Sequence, residues 1–84
     1  MKNLYQKYEE LITQIAALRE VVNKFCDDVT EIRDDDNTTG NDFDEYDKAV
    51  EYLDEAVEAL RTAEGQVRYA QGYIPKGTVV YIKE

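Results

Sequence analysis

Eighty-four residues suffice for one domain only, and with Cys26 as the single cysteine no disulfide within the chain can reinforce a small core. Nineteen acidic against ten basic side chains leave a net charge of −9, which sets the chain against nucleic acid and anionic membranes as direct partners. His and Ser are both absent, which removes Ser–His and Cys–His nucleophilic systems and most zinc sites. No glycine-rich phosphate loop or dinucleotide fingerprint occurs either.

The amino-terminal residues Met1 to Lys7 lack the apolar stretch of a signal peptide. From Leu4 the apolar positions run Leu4, Tyr8, Leu11, Ile15, Leu18, Val22, Phe25, Val29 and Ile32, in unbroken steps of four and three. That alternation is the seam of a packed helix and predicts helix one over about 3–33. Asp34, Asp35, Asp36, Asn37, Thr38, Thr39, Gly40 and Asn41 break it. Adjacent like charges, a glycine and residues that hydrogen-bond their own backbone predict an acidic loop over 34–41.

Asp42 with Glu45 three residues on resembles a capping box, so helix two is expected over about 42–71. Its seam runs Phe43, Tyr46, Val50, Leu53, Val57, Leu60, Glu64 and Val67, with Glu64 the polar intruder. Gly72 is expected to end the helix in a left-handed turn. Beside the seam a second stripe carries Ala49, Tyr52, Ala56, Ala59, Ala63 and Ala70. Such a smooth face permits close approach of another helix and is the expected oligomer face. Residues 72–84 read as a turn and a strand-like tail, because Thr78, Val79, Val80, Tyr81 and Ile82 are β-branched or aromatic. Tyr73, Ile74 and Val80 are expected to pack over the open end of the helices.

No apolar run approaches the ~20 residues that span a bilayer. With a lone cysteine, a cytoplasmic protein is expected. The fold expected is all-α: a single domain folded as an antiparallel two-helix hairpin with coiled-coil-like seams and a short β-like tail. A hairpin alone leaves half of each helix in water, so dimerisation into a four-helix bundle is expected.

Charge is unevenly placed. Residues 27–58 hold 14 acids against Arg33 and Lys48, a net of −12, whereas 1–26 carry +1 and 59–84 carry +2. Folded as a hairpin, the chain is an electrostatic dipole with its negative pole at the loop. Asp47, Glu51, Asp54 and Glu58, at steps of 4, 3 and 4, line one face of helix two. Asp27, Asp28, Glu31, Asp34 and Asp35 are expected to make a parallel line on helix one, continued by Asp36. Two such rows at nearly phosphate spacing imitate a nucleic-acid backbone.

Two patterns bear on metals. Asp34, Asp36, Thr38, Asp42 and Glu45 are similar to the ligand positions of an EF-hand loop, but Thr39 stands where the turn needs glycine. Asp27-Asp28-Val29-Thr30-Glu31 and Glu51-Tyr52-Leu53-Asp54 resemble the EExxE…ExxD magnesium motif of the all-α nucleotide pyrophosphohydrolases. Asp stands for both leading Glu, and no basic cluster serves the phosphates. That resemblance implies a magnesium-dependent nucleotide hydrolase. The residues themselves point instead to no metal, no cofactor and no enzyme. They point to a small protein-binding module whose acidic face meets a basic protein, as a nucleic-acid-mimicking inhibitor would, with a structural adaptor acting through helical assembly as the alternative.

Overall fold

The computed structural model describes residues 2–74 and 81–82, with the backbone alone for 2, 81 and 82. Strand β1 (Lys2–Asn3) leads into helix α1 (Leu4–Arg33). Helix α2 (Gly40–Gly72) follows, and strand β2 (Tyr81–Ile82) pairs antiparallel with β1. The molecule is a rod of 60 × 20 × 15 Å made by the two helices lying side by side.

Asn3 starts α1 with a true capping box. Its Oδ1 accepts from the Gln6 amide at 2.7 Å, and its own amide donates to Gln6 Oε1 at 3.3 Å. At the other end the Asp34 amide donates to Thr30 O at 3.0 Å, and Thr38 Oγ1 donates to Ile32 O at 2.7 Å. Asp35 Oδ1 takes the Asn37 amide at 2.8 Å, the side-chain turn by which Asp reverses a chain. Gly40, at φ +62°, then swings the backbone into α2.

Helix two therefore begins two residues before the expected start. Its N-cap is Thr39, which makes no side-chain cap, and the capping box expected at Asp42 and Glu45 is not formed. Asp42 falls in the first turn, where its charge suits the positive helix end. The expected left-handed Gly72 is also corrected. The helix runs through Gly72, and Tyr73 closes it in right-handed geometry, its amide donating to Ala70 O at 3.1 Å.

Three rows spaced by seven residues describe the inner half of α1. Tyr8, Ile15, Val22 and Val29 form one; Ile12, Arg19, Cys26 and Arg33 a second; Leu4, Leu11, Leu18, Phe25 and Ile32 a third. The expected seam joined the first and third rows. The structure packs the first and second: Ile12, Cys26 and Val29 are buried, whereas Leu11, Leu18, Phe25 and Ile32 are 43–56 % exposed. On α2 the expected seam is observed from Val50 onward, with Val50 and Val57 buried and Leu53, Leu60, Glu64 and Val67 half-buried, whereas Phe43 and Tyr46 at its start are exposed. Cys26, Val29 and Val50 form the main core cluster, with Ala49 and Leu53 packed against it.

Glu64, the polar intruder, is satisfied by two arginines. Arg19 Nη1 stands 3.8 Å away from α1, and Arg68 Nε stands 3.5 Å away from the next turn of α2. The observed rotation of α1 goes with contacts of this kind. Turning its Ile12 row inward brings Arg19 to Glu64, Arg33 to Asp47 and Cys26 to Asp54, none of which the Leu11 row offers.

The tail takes a partner that the sequence does not suggest. Tyr81 and Ile82 pair with Asn3 and Lys2, across the open end of the hairpin. Tyr73 is 88 % exposed, so it does not pack over the helices as expected; Ile74 is half-buried, and Val80 lies outside the described residues. Among the described residues no helix is long and apolar enough to cross a membrane.

Candidate functional site

The polar contacts between the helices all bear on one side of the seam. Arg33 Nη1 donates to Asp47 Oδ1 at 2.8 Å, Cys26 Sγ approaches Asp54 Oδ1 at 3.5 Å, and Gln71 Nε2 donates to Glu9 Oε1 at 2.8 Å. The register is antiparallel and even along the rod. This side is the acidic face at its loop half. Asp27 and Asp34 on α1 border it, and Asp47, Glu51, Asp54 and Glu58 line it on α2. Asp27 and Asp54 both act on the Cys26 thiol between them. All these carboxylates are exposed except Asp47, which is half-buried against Arg33.

The row on α2 is a narrow line, as its spacing predicts. The row on α1 is not a line. At 100° per residue, Asp27, Asp28, Glu31, Asp34 and Asp35 spread over roughly 120° of the helix. Asp27 and Asp34 join the α2 row, Glu31 points to the back of α1, and Asp28 and Asp35 lie toward the other side. Asp36 sits in the turn between the helices. The acids thus form a band wrapped around the loop half of the rod rather than two parallel strings.

Basic side chains offset part of this band. Arg33 binds Asp34 at 3.0 Å and Asp47 at 2.8 Å at once, and Arg61 binds Glu58 at 3.1 Å. Asp34 and then Asp47 hold the Arg33 guanidinium further into its charged range. Burial pushes the Cys26 thiol up, with the hydrogen-bonded Asp54 carboxylate adding to the shift, so the thiol stays neutral. Of the 14 acids between Asp27 and Glu58, Asp34, Asp47 and Glu58 have an ion-pair partner among the described residues, and the other eleven, with Asp27, Asp28, Glu31, Asp35, Asp36, Glu51 and Asp54 among them, have none.

Among the described residues no three acidic or cysteine side chains converge as metal ligands. The loop carboxylates are spent on the turn: Asp35 caps Asn37, Asp34 binds Arg33, and Asp42 lies in a helix that has already begun. Of the carboxylates that resemble a magnesium motif, Asp54 faces Cys26.

The opposite side of the seam carries the feature that sequence reading assigned to the core. The register places Leu11 level with Ala70, Leu18 with Ala63, Phe25 with Ala56 and Ile32 with Ala49. Of the expected oligomer face, Ala49, Ala56 and Ala63 are half-buried along the seam, while Ala59, Ala70 and Tyr52 are exposed, Tyr52 at 71 %. Val21, 64 % exposed, lies beside Leu18 and Phe25. The large apolar half of this face belongs to α1 and was hidden from the sequence because both rows fit the same spacing. Comparison with protein-family models, with curated proteins and with solved structures gives no match.

Proposed function

We propose that this protein is a non-enzymatic binding module that presents the acidic band at its loop end to a basic surface of another protein, in the manner of a nucleic-acid mimic. The observation that carries the reading is the set of eleven carboxylates between Asp27 and Glu58 that have no ion-pair partner among the described residues, gathered on the half of the rod whose sequence holds a net of −12. Stacking like charges along a helix destabilises it by a few tenths of a kcal/mol per pair, a standing cost that a partner's basic side chains would remove. The buried, unpaired Cys26 suits the reducing cytoplasm.

The test is retention of basic proteins on the immobilised chain, read against rising salt and against competing duplex DNA. Binding is expected to weaken steeply with salt and to be lost in a variant carrying Asp27→Asn, Glu31→Gln, Glu51→Gln and Asp54→Asn together. Retention that salt and these substitutions leave unchanged would sink the reading.

A second reading, assembly as a homodimeric four-helix bundle, is favoured by the thinness of the core. Five of the described residues are buried, none of them completely, and the chain exposes 6595 Å², against the roughly 5,100 Å² of a globular monomer of this mass. The two readings are compatible, since the acidic row from Asp47 to Glu58 and the exposed apolar stripe of α1 lie on opposite sides of the seam.

A further inference from the structure

We infer that the second copy docks on the side of the hairpin formed by Leu11, Leu18, Phe25 and Ile32 of α1 with the alanines of α2, and that the two rods lie antiparallel, loop to termini. The inference rests on the homodimer reading and names its surface and orientation. Three observations carry it.

The first is the width of the apolar stripe on α1. A helix that packs against a single neighbour needs two apolar rows, whereas one packed on two sides needs a third. Helix α1 has two wholly apolar rows, those of Tyr8 and Leu11, and a mixed third of Ile12, Arg19, Cys26 and Arg33; the hairpin covers only the Tyr8 row and the mixed one. The uncovered Leu11, Leu18, Val21, Phe25 and Ile32 expose on the order of 500 Å² together, toward the upper end of what a monomer leaves in water as one patch. With Tyr52 and the alanines beside them, they supply the ~800 Å² per partner of a standard interface.

The second is that the stripe reads the same in both directions. Leu4, Leu11, Leu18, Phe25 and Ile32 are centred on Leu18, and α1 itself spans Leu4–Arg33. A two-fold axis at Leu18, perpendicular to the rod, lays Phe25 of one copy against Leu11 of the next and Ile32 against Leu4. A surface that maps onto itself in this way is what an isologous dimer requires.

The third is charge. Two loop halves of −12 side by side would repel, whereas the antiparallel arrangement sets each beside the slightly positive residues 1–26 and 59–84 of the other copy. Both acidic bands then face outward, one toward each end of the bundle.

The experiment is solution mass by light scattering on the wild type and on Phe25→Glu, Leu18→Glu, Ala56→Arg and Tyr69→Glu, with helicity followed by circular dichroism. Tyr69, 73 % exposed on the back of α2, is the control. The wild type and Tyr69→Glu are expected at twice the 9.7 kDa chain mass. Phe25→Glu and Leu18→Glu are expected to stay helical and to self-associate about 100-fold more weakly. Should either lose its helix, Leu18→Gln and Phe25→Gln carry the same expectation.

A wild type that is monomeric at high concentration would overturn both the homodimer reading and this inference. Ala56→Arg, on the same surface, is expected to weaken the dimer as well; a dimer that withstands Phe25→Glu, Leu18→Glu and Ala56→Arg would leave the homodimer and overturn the surface named here. Orientation is read from nitroxide labels on Asn37→Cys in a Cys26→Ala background. An inter-label distance near the 60 Å rod length supports the antiparallel arrangement, and one below half that length overturns it.

Discussion

Arg33, the last residue of α1, grips Asp47 on α2 at 2.8 Å while its Nε holds Asp34 at 3.0 Å, so one guanidinium ties both helices to the loop between them. Its plane also stands over the Phe43 ring, 5.9 Å from the centroid. It is the basic group set deepest in the acidic band. Arg33→Ala is expected to lower the melting temperature at low salt and to lower it less at high salt, where repulsion among the released carboxylates is screened. Arg33→Lys keeps the charge but not the planar fork, and is expected to recover only part of the loss. Thermal melts at two ionic strengths check both. A salt-independent loss would mean that packing on Phe43, not charge, is what matters there.

The rotation of α1 makes a prediction that the sequence alone would reverse. Ile12, 3 % exposed, lies in the core, and Ile12→Ala is expected to cost about 2–4 kcal/mol. Leu11, 43 % exposed, is expected to cost less than half as much when replaced by alanine in protein dilute enough to be monomeric. Denaturant titrations at low protein concentration compare them. Equal costs, or a larger one at Leu11, would place α1 in the other rotation.

Two glycines should respond to alanine with opposite signs. At Gly40 an added Cβ meets nothing within 4 Å, but φ is +62°, so the cost of Gly40→Ala is conformational and is expected to be about 1–2 kcal/mol. At Gly65 the space is equally open and the backbone is ordinary helix. Nothing in the structure requires glycine there, and Gly65→Ala is expected to stabilise by roughly 0.5–1 kcal/mol. Chemical denaturation of the two variants measures the difference.

Cys26 is 4 % exposed and its thiol is pushed up by burial first and by Asp54 second. In the native chain it is expected to react with a thiol reagent far more slowly than in the unfolded one. Because its pKa is raised by folding, its contribution to stability is whole below the range where an unfolded thiol ionises, about 8.5. That contribution falls as pH climbs through this range toward the folded value, since the unfolded chain then loses a proton that the native chain keeps. The fall should be missing from Cys26→Ala, which separates it from the titration of lysine and tyrosine. A wild type and variant with the same alkaline slope would refute it.

The candidate site was partly legible. The narrow acidic line from Asp47 to Glu58 followed from helical spacing alone, because residues on one helix fix each other's direction. The acids of α1 did not follow so well: their direction relative to α2 depends on how far α1 is turned about its own axis, which no property of α1 alone sets. The same freedom hid the place of Arg33, which reads as one basic residue in an acidic run until Asp47 is brought to it by the fold.

Taken by itself, the sequence determined that there are two long helices, that they break at the acidic turn, and which face of α2 is inward. Those are local matters of period, turn chemistry and propensity, settled within a few residues of each position. Only the tertiary structure decided which two of the three inner rows of α1 are covered, and that the tail pairs with Lys2 and Asn3. The reason is physical. The Leu11 and Ile12 rows flank the shared Tyr8 row with the same period, and hydrophobicity alone favours the Leu11 row, because the Ile12 row carries Arg19 and Arg33. The observed rotation is the one that brings Arg19 to Glu64, Arg33 to Asp47, and Gln71 to Glu9 across the seam, pairings that no reading of α1 alone contains.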